Sequence, residues 1–129
     1  MPLEGQGELV RKWIALARAD LAHAAGGLPP GGSYENLCFH AQQAAEKALK
    51  AVLLKLDLPF TRTHSLQSLL DLFPSGTRFP FNAEDVAGLT AYAVATRYPG
   101  EAPAVTEEEC RAAIQAAEQV VAWAAEQIA

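Results

Sequence analysis

The segment from Asn36 to Leu56, NLCFHAQQAAEKALKAVLLKL, constrains the fold more than any other part of the chain. Its apolar residues recur at spacings of three and four, which is the period of an α-helix with one apolar face. We therefore expect a long amphipathic helix whose apolar face lies in a core. That predicted core face consists of Tyr34, Leu37, Cys38, Leu49, Val52, Leu53 and Leu56.

The composition favours an all-α fold for the whole chain. Half of the 129 residues are apolar and only 8% are aromatic. A composition dominated by alanine fits close-packed helices better than a β-sandwich, which needs more β-branched and aromatic residues. The length suits one domain with one core. The sequence predicts a single domain over residues 1–129, folded as an antiparallel up-and-down bundle of four long helices plus one short helix.

The first two helices are delimited by glycine, proline and a serine cap. The first is predicted from Glu8 to Ala25, and the sequence GGLPPGG then forms a loop, because glycine and proline disfavour helix. Ser33 is predicted to cap a second helix from Tyr34 to Leu56. The predicted apolar stripe of the first helix contains Leu9, Trp13, Leu16, Ala17, Asp20, Leu21 and Ala24.

Three further helices are predicted after Leu56. Thr63 is a candidate cap for a short third helix, which Pro74 closes. Asn82 is predicted to start a fourth helix that ends near the sequence RYPG. Thr106 opens the sequence TEEE, a capping box that starts a fifth helix reaching almost to the last residue.

The formal net charge of −5 argues against a broad nucleic-acid surface, because nonspecific binding needs many lysine and arginine contacts. Four basic residues nevertheless lie close together in the sequence, at Lys47, Lys50, Lys55 and Arg62. The sequence therefore predicts a basic middle and an acidic end from Glu101 onward.

Cys38 and Cys110 each fall in an apolar helical stripe, which indicates small buried side chains rather than a disulfide framework. No N-terminal segment resembles a signal peptide, and charged residues interrupt every apolar run before it could span a membrane. We expect a cytoplasmic protein.

A polar stripe runs along the second helix opposite its apolar face. Asn36, His40, Gln43, Lys47 and Lys50 are spaced by four, three, four and three residues. This pattern is typical of a solvated helix face, and it is also compatible with a binding surface.

Three residues beside this stripe indicate an interface. Gln42 and Glu46 flank the apolar face, where polar groups need partners. Phe39 lies outside the apolar face near Glu46, as aromatic residues often do at subunit interfaces. We predict a homodimer with Phe39, Gln42 and Glu46 in its interface.

His64, Arg97 and Tyr98 are further candidates for function. Arg97 and Tyr98 stand at a predicted helix end, where a guanidinium and a phenol suit a phosphate or a carboxylate; Arg97 pairing with its own helix end is the alternative. His64 follows the predicted cap of the third helix, where a local structural role is the alternative. No zinc-ligand spacing, phosphate-binding glycine loop or nucleophile elbow is found, so no metal or cofactor is predicted.

The motifs CFHAQQAAEKALKAVL, then Thr63 and His64 with Leu66, and later RYPG resemble the HEPN domain, named for nucleotide binding in higher eukaryotes and prokaryotes. The resemblance extends from about Leu9 to Ile128. It implies a helical bundle that dimerises and acts with a separate minimal nucleotidyltransferase. Many relatives are metal-independent ribonucleases with an arginine followed, after four to six residues, by a histidine. Here YPGEAPAV follows Arg97 without any histidine.

Three functional hypotheses follow from the residues and the resemblance. The first is a nucleotide-binding or partner-binding protein paired with a minimal nucleotidyltransferase, in a toxin–antitoxin-like pair. In it, Lys47, Lys50 and Arg97 attract phosphate, while His40, Gln43 and Tyr98 orient the ligand or partner. The second is a divergent ribonuclease toxin that uses Arg97 and His64, with RNA as substrate. The third is a structural adaptor without nucleotide binding. Because the histidine is missing, an enzyme is the less favoured interpretation.

Overall fold

The computed structural model describes residues 4–93 and 103–129. This part of the chain is helical and contains no strand, which confirms the all-α prediction. Three helices are long and two are short. The α-helices are α1 (Glu4–Ala25), α2 (Tyr34–Lys55), α3 (Leu66–Leu70), α4 (Ala83–Gly88) and α5 (Glu107–Ile128), and a 3₁₀ helix, Leu89–Tyr92, directly follows α4.

Helix α2 is the central element and packs against both α1 and α5. It runs antiparallel to α1, because Asp20 near the end of α1 contacts His40 near the start of α2. It runs parallel to α5, because Glu35 at its start accepts a hydrogen bond from the Val105 amide just before α5. This order is that of an up-and-down bundle in which the α3–α4 region occupies the third position.

Three of the predicted caps are confirmed. The side chains of Ser33, Asn82 and Thr106 accept hydrogen bonds from backbone amides three residues further on, at 3.2, 2.9 and 3.0 Å. The predicted cap of the third helix is wrong, because Ser65 performs that role. The Thr63 hydroxyl instead accepts from the Ser65 amide at 3.0 Å.

Helix α1 begins at Glu4, before the predicted Glu8. Glycines at positions 5 and 7 weaken the sequence signal there. Helix α2 ends at Lys55 without a glycine. Asp57 adopts a left-handed conformation (φ 59°), and the amides of Asp57 and Leu58 donate to the carbonyls of Leu54 and Leu53. This is a Schellman motif, in which aspartate replaces the usual glycine.

Alanines allow the long helices to approach each other closely around α2. A methyl side chain projects little from the helix, so a helix rich in buried alanine can have neighbours on several sides. The predicted core face is mostly confirmed, but Leu56 is half exposed, and Leu9 and Leu16 of the predicted α1 stripe are also exposed. The fully buried alanines of α2 are Ala41, Ala44, Ala45, Ala48 and Ala51.

The predicted long fourth helix differs from the described structure. Helix α4 has 6 residues and the 3₁₀ helix 4 more, and the predicted end near RYPG lies outside the described residues. Part of the preceding loop is anchored instead by aromatic packing. Phe73, Phe79, Phe81 and Trp123 form a cluster with ring centroids 5.0–5.7 Å apart.

Cys38 and Cys110 are buried and are not joined in a disulfide, as the sequence predicts. Burial raises the pKa of the Cys110 thiol, and although a hydrogen bond with Cys38 opposes this shift, nearby Glu107 adds to it. Across residues 4–93 and 103–129, no helix combines the length and apolar character that crossing a membrane requires.

Candidate functional site

The Asp20 cluster (Asp20, His40 and Lys47) joins α1 to α2. Asp20 is buried, and its two oxygens accept from different residues of α2. His40 Nδ1 lies 3.0 Å from Oδ1, and Lys47 Nζ lies 2.6 Å from Oδ2. The histidine and lysine side chains are 25% and 23% exposed. One buried carboxylate thus fixes two polar groups whose outer parts reach solvent.

The Glu46 cluster (Gln42, Glu46, Lys50 and His64) is more deeply buried. Glu46 Oε1 lies 2.8 Å from His64 Nδ1 and accepts from Gln42 Nε2 at 3.1 Å. Its Oε2 accepts from Lys50 Nζ at 3.0 Å. Gln42 Nε2 also donates to the His64 carbonyl, so the cluster ties α2 to the segment that precedes α3.

The pKa of Glu46 reflects two opposing effects. Burial raises the pKa of this carboxyl, because water no longer solvates its charge. Hydrogen bonds from His64, Gln42 and Lys50, together with the lysine charge, outweigh burial and hold the pKa below its ordinary value. The structure is therefore built around the ionised form of Glu46.

Lys50 does not lie on the exposed stripe where the sequence placed it. Its side chain is 8% exposed, and its Nζ lies 5.6 and 5.8 Å from the ring centroids of Trp13 and Phe60. The rings stabilise the ammonium through cation–π attraction, and Glu46 neutralises it. With its charge paired and covered, Lys50 cannot reach a phosphate in this conformation.

The exposed part of this region is a polar face on α2. We define the α2 polar face as Phe39, His40, Gln43, Lys47 and the neighbouring His64. The first four are partly exposed, and the His64 side chain is 68% exposed. Gln43 Nε2 donates to Gln42 Oε1 at 2.6 Å, which connects this face to the Glu46 cluster.

The α2 polar face is held rigidly, because its side chains are tied to buried partners. Fixed donors favour binding of anionic or polar groups, since little side-chain entropy is lost when a ligand arrives. Lys47 Nζ has three donors, of which the contact with Asp20 uses one. His23 adds a further imidazole, with its ring centroid 5.0 Å from that of His40.

The predicted interface residues occupy different environments. Gln42 is fully buried and Glu46 nearly so, and both form hydrogen bonds inside the protomer. Only Phe39 of the three is partly exposed, with its ring 5.6 Å from that of His40. Of the three predicted interface residues, Phe39 is therefore the one that offers side-chain surface to a second protomer.

The structure brings His40, Gln43, Lys47 and His64 to one side of the bundle. Arg97 and Tyr98, the other two predicted binding residues, lie outside the described residues. Asp20, which pairs with His40 and Lys47, is the residue of this region that the sequence analysis does not single out. It was counted in the apolar stripe of the first helix, and a carboxylate at a stripe position is itself a signal for a buried, paired charge.

Within the described residues, no group of three or more His, Cys, Asp and Glu side chains is arranged to hold a metal ion. Each carboxylate of the two clusters is already bonded to a lysine and lies against an imidazole nitrogen. The α2 polar face presents hydrogen-bonding groups and the ammonium of Lys47.

The described structure is a helical bundle with a polar face on its central helix, α2. Comparison with known proteins identifies the class to which such a bundle belongs. The model for the HEPN domain matches residues 10–128. TT1696 from Thermus thermophilus has a similar structure, with a TM-score of 0.77 and 35% identity, over 92% of this chain and 97% of that one. ST0689, an archaeal HEPN homologue, gives 0.71 and 30% identity over 93% and 98%. No functionally curated protein matches. The chain belongs to the HEPN family.

Proposed function

We propose that this HEPN protein binds nucleotide phosphate at the α2 polar face and acts with a minimal nucleotidyltransferase, in a pair of the toxin–antitoxin type. The observation that carries the proposal is the Asp20 cluster. Asp20 fixes Lys47 at 2.6 Å and His40 at 3.0 Å while both side chains stay partly exposed. A positioned ammonium beside an imidazole suits a phosphate group.

The proposal assigns phosphate contact to Lys47 rather than to Lys50, because Lys50 is covered. Gln43 lies between His40 and Lys47 on the same helical face and retains a second amide donor for the ligand or partner. Arg97 and Tyr98 are proposed to complete the site. Their sequence position just before the loop leading to α5 motivates this assignment.

Dimerisation through the same side of the bundle is part of the proposal. Leu9 and Leu16 are 44% and 51% exposed. Their spacing places them on the same side of α1 as Trp13 and Asp20. These exposed leucines of α1 and the partly exposed Phe39 of α2 are apolar surface available to a second subunit. A polar centre with apolar side chains beside it is compatible with a subunit or partner interface.

Nucleotide titration of the purified protein by calorimetry tests the site. Lys47→Ala is expected to weaken binding about tenfold or more, because a charge-assisted hydrogen bond contributes about 1.5–3 kcal/mol. Lys12→Ala is the matched control, since it removes an exposed lysine of α1 outside the α2 polar face. Circular dichroism verifies that both variants fold. Unchanged binding by Lys47→Ala contradicts the assignment.

The partner is tested by capture from the native source with tagged protein. Co-purification of a nucleotidyltransferase with the wild type, and its loss with Phe39→Asp, is the expected result. Capture of no nucleotidyltransferase at native expression levels contradicts this part of the proposal.

A second candidate function, RNA cleavage, is favoured by the Glu46–His64 contact. A buried carboxylate beside Nδ1 orients an imidazole whose side chain is 68% exposed, which is how general bases are commonly positioned. RNA degradation in EDTA that is lost in both His64→Ala and Arg97→Ala favours this function. Degradation that persists in His64→Ala excludes His64 as the base.

A further inference from the structure

A concave site lies on the flank of α1 that faces α5. It is a groove of about 390 Å³ between α1 and the end of α5, with Lys55 of α2 at one side. This volume is within the range of about 300–1,000 Å³ that is typical of small-molecule sites. The groove does not include any residue of the α2 polar face, so it calls for its own explanation.

The floor of the groove is aliphatic and its edge is cationic. Val10 and Ile14 are buried, and together with Ile128 they supply branched apolar side chains to the lining. The charged groups of the lining are Arg11, Arg18 and Lys55, and no acidic residue is among the described residues that line it. The side chains that line the groove therefore carry a net positive charge, whereas the net charge of the whole chain is −5.

The arginines are placed at two ends of an apolar strip. Arg11 and Arg18 are seven residues apart on α1, so they lie on one helix face about 10 Å apart along the axis. Ile14 lies between them on the same face. The guanidinium of Arg11 reaches back toward Gly7, where a Cβ would be 3.8 Å from Nη1.

Lys55 lies at the same end as Arg11. Helices α1 and α2 are antiparallel, and the Trp13–Lys50 contact sets Lys55 level with the first half of α1. Its Nζ donates to the Ile128 carbonyl at 3.1 Å, which holds the ammonium beside the groove. That bond uses one of the three donors of Nζ and leaves two for a ligand.

The lining excludes one class of ligand and favours another. Among the residues of the described ranges that line it, there is no aromatic ring for stacking and no amide or hydroxyl side chain for reading a base edge. A nucleobase there would meet guanidinium and ammonium donors but no acceptor side chain of the described lining, so its own amino and imino donors would lose hydrogen bonds to water. An aliphatic chain, in contrast, gains free energy on an aliphatic floor, and a carboxylate matches the two parallel donors of a guanidinium.

We propose that the α1–α5 groove binds a medium-chain aliphatic carboxylate, with the chain over Ile14 and the carboxylate on Arg11 and Lys55 or on Arg18. This site goes beyond the proposed function, because it is separate from the phosphate-binding residues. The ligand class follows from charge complementarity and from the absence of polar uncharged side chains in the lining.

The test is calorimetric titration of the full chain with sodium decanoate, decanol and AMP. The wild type is expected to bind decanoate, with decanol about tenfold or more weaker, since it lacks the charge-assisted contact. Arg11→Gln/Arg18→Gln is expected to weaken decanoate by a similar factor. Lys12→Gln removes one charge from α1 outside the groove and is expected to leave decanoate binding unchanged. Lys47→Ala is also expected to bind decanoate normally.

Other outcomes overturn the proposal. They are an absence of decanoate binding, equal affinity for decanol, or decanoate binding that survives the double arginine variant. AMP binding that the double arginine variant abolishes contradicts the aliphatic ligand class. Decanoate binding that Lys47→Ala abolishes places the ligand at the α2 polar face instead. Should the double variant fail to fold, Ala125→Phe, which fills the groove from α5, must weaken decanoate binding.

Discussion

The Asp20 cluster and the Glu46 cluster each combine a carboxylate, a lysine and a histidine. The two clusters differ in how far these groups are buried. Each has a carboxylate that binds a lysine at one oxygen and faces a histidine Nδ1 at the other. In the first, both Lys47 and His40 are about one-quarter exposed. In the second, the lysine is 8% exposed whereas the histidine is 68% exposed.

This difference separates a buried ion pair from one whose lysine and histidine reach solvent. Lys50 is enclosed by Glu46 and two aromatic rings, so its charge depends on the carboxylate. Lys47 can turn to water when its carboxylate is lost. The same pairing of residue types therefore encloses a lysine in one cluster and leaves a lysine partly exposed in the other, where we propose that it meets a ligand.

The largest expected effect is that of Glu46→Ala. It leaves the Lys50 ammonium buried without a carboxylate, and breaking a buried pair in this way costs about 3–5 kcal/mol of unfolding free energy. Asp20→Ala is expected to cost about 1.5–3 kcal/mol, the range for hydrogen bonds to charged groups. Urea denaturation followed by circular dichroism measures both losses.

The control for this comparison is the double variant Glu46→Leu/Lys50→Met, which removes both charges and should recover most of the stability lost in Glu46→Ala. If Glu46→Ala and Asp20→Ala lose equal unfolding free energy, the burial of Lys50 makes no energetic difference between the two clusters.

A smaller effect is expected from acid. Burial raises the pKa of Glu46, but hydrogen bonds from His64, Gln42 and Lys50 bring it below the ordinary 4.5. The folded state thus takes up this proton at lower pH than the unfolded state does. The resulting stabilisation is present above the ordinary pKa and is lost as pH falls through the folded pKa.

The measurement is urea denaturation of wild type and Glu46→Gln between neutral pH and acid. The stability advantage of the wild type over Glu46→Gln should shrink as the pH falls below 4.5. Glu118→Gln, which changes an exposed carboxylate of α5, controls for the loss of one charge. An advantage that stays constant across the range contradicts the lowered pKa.

The sequence predicted most of the parts that depend on local chemistry, although the cap of α3 is Ser65 rather than Thr63. The caps at Ser33, Asn82 and Thr106 and the period of α2 involve residues three or four apart, so a single sequence contains the necessary information. The burial of Lys50 depends on Trp13 and Phe60, which come from other segments, and helical position alone placed it among exposed residues.

Long-range pairs in the site were missed for the same physical reason. His64 and Glu46 are 18 positions apart and Asp20 and Lys47 are 27 apart, and helical periodicity does not specify which helix faces meet. The end of α2 was predicted at nearly the correct residue. The Schellman motif that ends α2 was not predicted. Left-handed aspartates such as Asp57 are uncommon, so this one is recognised only from the backbone.

The smallest expected effect in this comparison is that of His64→Ala. Although the imidazole lies 2.8 Å from Glu46, its side chain is 68% exposed, and Gln42 still donates to the same oxygen. The loss of unfolding free energy should therefore be about 1 kcal/mol or less. Urea denaturation of His64→Ala beside Gln42→Ala, which should cost more because Gln42 is fully buried, measures the difference. If His64→Ala costs as much as Gln42→Ala, the histidine is a structural part of the cluster, and its exposure is no argument for a role in binding or proton exchange.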